Sequence, residues 1–323
     1  MTLHLILHSG HYVIHMSDRL LTLREGGQLT DWFDRASKTI LVHALDGTLS
    51  IGYAGLAHIR SMPTDLWLIE QIQGRPISEP RLPGGGPPTF ESGPPVRLTI
   101  HEIHEKVRTA IERDLPAEPA RESGLEVIMA GWRWNRRTSH TKRSSTYVAI
   151  LIHSGAPNTS CIVTYDRPWL SGIPNYRLAG IGARSVFRRF GLPKFRECLD
   201  AQNSAITWLA MEHCILQSFT SAAATKNSMI GREAMSVVMP ELFGSPTLVR
   251  FFRDRESTRI AGYTPAIITN SGLVQYPSLY RGQGSPISIS RDRPVSFETL
   301  PPVPPQPDGP IFEIGSYPRR TWP

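Results

Sequence analysis

MTLHLILHSGHYVIHMSD, residues 1 to 18, and KTILVHALDGTLSIGYAGLA, residues 38 to 57, each read as two strand-like runs broken by a short turn signal. In the first, LHLILH (3 to 8) and YVIHMS (12 to 17) flank Ser9-Gly10. In the second, KTILVHAL (38 to 45) and TLSIGYAGLA (48 to 57) flank Asp46-Gly47, a dipeptide suited to the positive-φ positions of a two-residue turn. Two successive β-hairpins are predicted. With Ser9 and Gly10 at the turn, Leu5 faces Ile14, His4 faces His15, Thr2 faces Ser17, and Asp18 lies beside Thr2. Strand alternation puts Leu3, Leu5, Leu7, Tyr12, Ile14 and Met16 on one face and Thr2, His4, Ile6, His8, His11, Val13 and His15 on the other. The first face is core.

Outward from the hairpins, Pro63 or Thr64 to Ile72 reads as a helix, with Pro63 in its first turn and Asp65 near its positive end. PRLPGGGPPTFESGPP (80 to 95) is too rich in Pro and Gly for an element interior and reads as a loop. Thr99 and Glu102 form a capping-box pattern before Ile100, Ile103, Val107 and Ile111 at helical spacing, so a helix is predicted over 100 to 114. LEVIMAGW (125 to 132), TYVAILIH (146 to 153), SCIVTY (160 to 165) and MSVVM (235 to 239) read as strands, and about 196 to 223 as one long helix. Strands, helices, strands, helix and strand in that order favour an α+β layered domain over a doubly wound parallel sheet. The organisation expected is one domain over 1 to 282 with inserted loops at 80 to 95 and 133 to 145, and a Pro-rich extended tail over 283 to 323 that contains PPVPPQPDGP (301 to 310).

Composition narrows the function classes. The 323 residues carry 35 basic and 28 acidic side chains, a net charge of +7, with 40% hydrophobic residues. That is the balance of a folded soluble chain. Only Cys161, Cys198 and Cys214 are present and no CxxC pair occurs, which leaves little for a disulfide framework or a thiolate zinc site. A reducing, cytoplasmic setting is the simplest expectation. The opening residues lack a basic n-region and the apolar run is broken by His4 and His8, so neither a cleaved signal nor a membrane span is expected. A pI near 9.5 permits a nucleic-acid partner without requiring one.

Thr2 follows the initiator Met, and aminopeptidases remove Met before small residues. The exposed threonine would carry a nucleophilic hydroxyl and, in its own α-amine, a base titrating near pH 8. Most threonines at position 2 do nothing, so the flanking residues matter. With Thr2 and its hairpin stand SDRLLT (17 to 22), KTI (38 to 40) and SIGYAGLA (50 to 57). Together they resemble the proteasome-type N-terminal-nucleophile hydrolases, including the bacterial proteasome-like peptidases. The resemblance implies a four-layer αββα sandwich and a threonine-type amide or peptide hydrolase. It further implies catalytic roles for Thr2, Asp18, Lys38 and Gly55. Asp18 closes the second strand, Lys38 opens the third and lowers the amine and hydroxyl pKa values, and the Gly55 N–H binds the oxyanion. Thr22 and Tyr53 would contact substrate. No cofactor or metal is implied, and homo-oligomers, rings or spirals, are.

The chain also departs from that family. The Asp18-to-Lys38 interval is longer than the family's, and alignment on Gly231 puts Asn227 and Ile230 where an Asp and a Ser would support the threonine. Ile230 can neither donate nor accept a side-chain hydrogen bond. The alternative expectation is a catalytically inactive scaffold that oligomerises or binds a partner, nucleic acid among them. Four other features have blander readings beside their functional ones. Cross-strand His4/His15 and His8/His11 have metal-ligand chemistry, yet such histidines more often pack half-buried with one hydrogen bond. WRWNRRTSHTKR (132 to 143) mixes basic and aromatic residues as single-strand binders do, but charged connecting loops are commoner. HEIHEK (101 to 106) lacks zincin spacing and reads as a solvated helix face, while Cys198 and Cys214 near His213 read as buried free thiols.

Overall fold

The computed structural model describes residues 2–25, 28–33, 37–77, 96–118, 124–134, 144–156, 158–165, 176–202, 207–225, 230–242, 244–252, 260–275, 279–282, 287–289 and 291. The 80 to 95 loop, residues 135 to 143 of the arginine-rich segment and PPVPPQPDGP lie outside them. Among the described residues, thirteen strands form two main sheets. In spatial order the first holds β8 (Arg177–Gly182), β1 (Leu3–His8), β2 (Tyr12–Asp18), β9 (Ala234–Pro240), β10 (Thr247–Phe252) and β13 (Ile287–Ile289). The second holds β7 (Ile162–Tyr165), β6 (Ser144–His153), β5 (Leu125–Trp134), β4 (Gly47–Gly55), β3 (Thr39–Ala44), β11 (Ala266–Ile268) and β12 (Val274–Gln275). Neighbours in both sheets are antiparallel except β3 and β11. The chain is a mixed α+β fold. Strand β1 lies inside its sheet between β8 and β2, so the N-terminal segment is held on both sides.

Both hairpins form, each with a turn different from the predicted one. His8 pairs with Val13, and the turn centre is Gly10-His11 rather than Ser9-Gly10. The Ser9 hydroxyl explains the shift: it accepts the N–H groups of His11 and Tyr12 at 3.1 and 3.2 Å, a side-chain-closed turn that places Ser9 on the flank. His4 therefore faces Ser17, Leu5 faces Met16 and Ile6 faces His15. A two-residue slip preserves the faces, so the predicted core side, Leu3, Leu5, Leu7, Tyr12, Ile14 and Met16, is buried in a single cluster. In the second hairpin Ala44 pairs with Gly47, so Leu45 and Asp46 make the turn.

Among the described residues, four helices of nine residues or more pack on the sheets. Helix α1 (Thr64–Gln73) starts after Pro63 and stops at Gly74 in the left-handed region, and α2 (Ile100–Asp114) is closed by the reciprocal Thr99–Glu102 capping box. Residues of α1, α2 and the second sheet share one core, including Ile40, Ile51, Trp67, Ile103 and Val127. Another core joins the first sheet to α3 (Leu192–Asp200) and α4 (Trp208–Ala223). A third draws on both sheets, with Ile6, Val13, Leu41, Ile128, Ile181 and Val237. The predicted single helix over 196 to 223 is two, because Thr207 caps a new start by accepting the Ala210 N–H. Ile287–Ile289, within the stretch expected as an extended tail, pairs with β10, and Arg291 donates to the Ala44 carbonyl at 2.6 Å.

Three side-chain readings change. Cys198 on α3 and Cys214 on α4 are joined in a disulfide with Cα atoms 5.5 Å apart, not held as free thiols; Cys161 alone is free and buried. Closing a loop of this length should raise the unfolding free energy by about 3 kcal/mol. The urea midpoint is expected to fall on adding a reductant and in Cys198→Ser, and the reductant should not shift that variant further. His104, read as part of a solvated face, is buried, with Nδ1 2.6 Å from the Tyr147 hydroxyl and its ring stacked on Tyr165. Trp132 and Trp134 belong to the core shared by the two sheets, and Trp132 Nε1 donates to the Met239 carbonyl, so neither ring is free to stack on a base. Among the described residues no helix is long and apolar enough to cross a membrane.

Candidate active site

Strand β1 carries Thr2 at its entrance, β2 ends on Asp18, and Lys38 stands directly before β3. These three elements converge because β1 and β2 are a hairpin, while β3 belongs to the sheet packed against that hairpin's second face. Lys38 Nζ donates to Thr2 Oγ1 at 2.9 Å and to Asp18 Oδ2 at 3.0 Å. Asp18 is completely buried and well supplied with donors. Its Oδ1 accepts the Leu3 N–H at 2.9 Å, and Oδ2 also accepts the N–H groups of Leu20 and Gly231 at 3.3 and 3.2 Å. The carboxylate thus ties the turn before β9 to the N-terminal strand. Burial pulls the Lys38 ammonium below its ordinary value, and the charge and hydrogen bond of Asp18 oppose that shift. An ammonium held against a threonine hydroxyl stabilises developing negative charge on that oxygen.

The Thr2 backbone is equally fixed. Its carbonyl accepts the Ala183 N–H at 2.7 Å, and Leu3 pairs with Gly182. Gly182 has φ +82°, and a Cβ there would sit 1.8 Å from the Thr2 oxygen and 3.3 Å from the Ala54 methyl. Thr2 and the end of β4 therefore meet at the same point in front of Gly182. The next residue after Ala54 is Gly55, exposed, with φ +105° and paired with Leu125. The position requires glycine, since a Cβ at Gly55 would strike the Gly124 carbonyl.

The remaining expected site residues fall differently. The Tyr53 side chain is 5% exposed in the core beneath α1 and α2, where burial raises its hydroxyl pKa far above the ordinary value. Thr22 lies in a strand, Leu21–Glu25, paired with Gln28–Phe33, and its backbone is opposite Asp31. Ile230 is buried in the core with α3 and α4, away from a polar role, and Asn227 lies outside the described residues. Sequence reasoning missed Arg19, which is buried, pairs with Glu233 at 3.1 Å and stacks over Phe251. It also missed Gly182, Ala183, Glu126 and Arg184. The one signal for them was a carboxylate inside the otherwise apolar run LEVIMAGW.

The histidine face is a hydrogen-bond chain rather than an open ligand set. His4 Nε2 lies 2.8 Å from the Tyr53 carbonyl, which can only accept, so this nitrogen carries the proton. Nδ1 of His4 must then accept from His15 Nε2 at 2.9 Å, and His15 Nδ1 accepts from the Ser50 hydroxyl at 2.6 Å. Gly52 makes room, since a Cβ there would stand 2.4 Å from His4 Nδ1. His11 is exposed beside Glu241, and His8 faces Val13 rather than His11. Among the described residues no group of three or more ligating side chains is placed to hold a metal ion.

Burial, reinforced by the Lys38 charge, lowers the His4 pKa to about 3; burial and His4 take His15 well below its ordinary value. Between pH 3 and 6.5 the unfolded chain therefore binds more protons than the folded one, and stability falls as pH falls through that window. The expected loss at pH 5 is about 2 kcal/mol from His4 alone, read as a lower urea midpoint than at pH 7. Replacing both histidines with glutamine should flatten that dependence.

No protein-family model matches the chain, and no curated protein sequence matches it. Among solved structures, Anbu (ancestral beta-subunit) from Yersinia bercovieri is similar at a TM-score of 0.44 and 13% identity, over 74% of this chain and 82% of that one. An Anbu mutant from Hyphomicrobium sp. strain MC1 is similar at 0.42 and 11%, over 74% and 81%. Thiobacillus denitrificans BPH in complex with epoxomicin is similar at 0.41 and 15%, over 75% and 100%.

Proposed function

We propose that this chain is a threonine-type N-terminal-nucleophile hydrolase of amide or peptide bonds, built as a four-layer αββα sandwich. The three cores, one outside each sheet and one drawing on both, support that layering. The observation that carries the chemistry is the single ammonium of Lys38 shared between Thr2 Oγ1 and Asp18. Once Met1 is removed, the Thr2 α-amine takes the hydroxyl proton as Oγ1 attacks a carbonyl, and Lys38 stabilises the oxygen through the proton transfer. Asp18 holds Lys38 in its protonated form and position. The Gly55 N–H serves as oxyanion donor; the C–N bond then breaks as the α-ammonium gives its proton to the departing amine, and water, deprotonated by the α-amine, attacks the ester at Thr2, releasing the acid and restoring the Oγ1 hydroxyl.

Intact mass spectrometry of the purified chain is expected to show loss of Met1, together with turnover of a peptide amide. A chain that keeps Met1 and hydrolyses the peptide at the same rate would overturn the mechanism. Homo-oligomerisation, which the resemblance implies, belongs to the proposal, and light scattering that finds a monomer would remove it. The second reading is an inactive scaffold. It is favoured by one observation, the burial of Ile230 in the helix-side core where the resemblance would call for a serine near Thr2. Thr2-dependent turnover would end that reading.

A further inference from the structure

Glu126 is the only charged residue in the run LEVIMAGW (125 to 132), and Glu126, Ile128, Ala130 and Trp132 share a face by alternation. The last three belong to the core shared by the sheets, so Glu126 points into the same space at its open end, 19% exposed. It pairs across β4 and β5 with Ala54, the residue before Gly55. Both carboxylate oxygens reach one short turn. Oε2 accepts the Gly182 N–H at 2.6 Å, and Oε1 accepts from the guanidinium of Arg184. Between those two residues is Ala183, whose N–H holds the Thr2 carbonyl. The pair is partly exposed, Glu126 19% and Arg184 36%, and such ion pairs contribute about 1 kcal/mol or less to stability. A geometric role accounts for the carboxylate better than stability does.

We propose that Glu126, locked by Arg184, is a positioning residue: it fixes the Gly182–Arg184 turn and, through the Ala183 N–H, the Thr2 backbone beside Lys38 and Gly55. This rests on the proposed hydrolase reading and deepens it. The clip of Glu126 and Arg184 supports the Thr2 backbone from β5. Neither residue touches the reacting atoms. Loss of the clip acts on orientation, so it lowers kcat and leaves KM nearly unchanged.

The test compares wild type with Glu126→Ala, Glu126→Gln and Arg184→Met, and uses Arg108→Met, which breaks a surface ion pair on α2, as control. Peptide-amide turnover and hydrogen exchange of the amides of Leu3 and Ala183 are measured on the full chain. Glu126→Ala should lower kcat about 10- to 100-fold, the size of effect a small misplacement of a reacting group produces. KM should stay within about twofold, and both amides should exchange faster. Glu126→Gln, whose amide oxygen still accepts the Gly182 N–H, should recover part of the loss, and the control should match wild type. Unchanged kcat in Glu126→Ala, a loss carried by KM, or unchanged exchange would overturn the assignment. Wild type lacking Thr2-dependent turnover would instead overturn the hydrolase reading, and exchange alone would then decide whether the clip holds Thr2.

Discussion

In Thr2→Ala, peptide-amide turnover should fall about 10⁴-fold or more, to the level of a protein without its nucleophile, while the fold persists. Alanine is also a small second residue, so removal of Met1 is unaffected and the variant differs from wild type in the side chain alone. The lost contact is one hydrogen bond from Lys38 Nζ to Oγ1, worth about 1.5 to 3 kcal/mol for a charged donor. Lys38 keeps Asp18, so no buried charge is stranded. Thr2→Ser provides the contrast. It retains the hydroxyl and loses the methyl that restricts the first torsion, so Oγ1 remains available but less strictly aimed at Lys38. Its turnover should lie between wild type and Thr2→Ala, closer to wild type. Near-wild-type turnover in Thr2→Ala would place the chemistry elsewhere in the chain.

The parts of this site that were legible in the sequence are those set by strand alternation and short spacing. Thr2 and Asp18 could be brought together because a hairpin fixes which residues share a face, whereas Lys38, outside that hairpin, was named only through the family resemblance. A slip of two residues leaves the faces intact. That is why the turn at Ser9 could be misplaced while the core side of β1 and β2 was correct. The register itself was hidden in a hydroxyl, since Ser9 closes the turn through its side chain rather than by occupying its centre. The other half of the site is non-local. β8, directly before the Ala183 N–H that holds the Thr2 carbonyl, joins β1 from almost 180 residues away along the chain, and RLAGIG has too little alternation to announce a strand. Glycines at 52 and 182 are readable only once the atoms they avoid are known: the His4 ring and the Thr2 oxygen. The histidines, expected to pack half-buried with one hydrogen bond each, differ in degree: His4 and His15 are fully buried and each makes two. Trp134, expected in the loop from 133 to 145, instead closes β5, because its ring packs in the core shared by the two sheets.

Lys38→Met and Asp18→Asn should each cost about 3 to 5 kcal/mol of stability, the penalty for removing one partner of a buried ion pair. The two side chains are 1% and 0% exposed. Lys38→Met leaves the carboxylate with three backbone N–H donors and no cation. In Asp18→Asn the amide cannot satisfy its surroundings in either orientation. With its NH₂ on one side it opposes the Leu3 N–H; on the other it opposes the Leu20 and Gly231 N–H groups and the ammonium. The double variant removes both the stranded charge and the ammonium-to-amide conflict, yet keeps the mismatch with a backbone donor. Its loss should therefore be smaller than the two single losses added, by about 1 to 3 kcal/mol in a urea-unfolding cycle. Turnover behaves differently: all three variants lack the cation–carboxylate pair beside Oγ1, so the double variant regains stability relative to the added losses without regaining activity. That separation assigns Lys38 to the chemistry as well as to the fold. Additive stability losses would show that the two groups are not coupled as their 3.0 Å contact requires, and turnover restored in the double variant would remove Lys38 from the reaction.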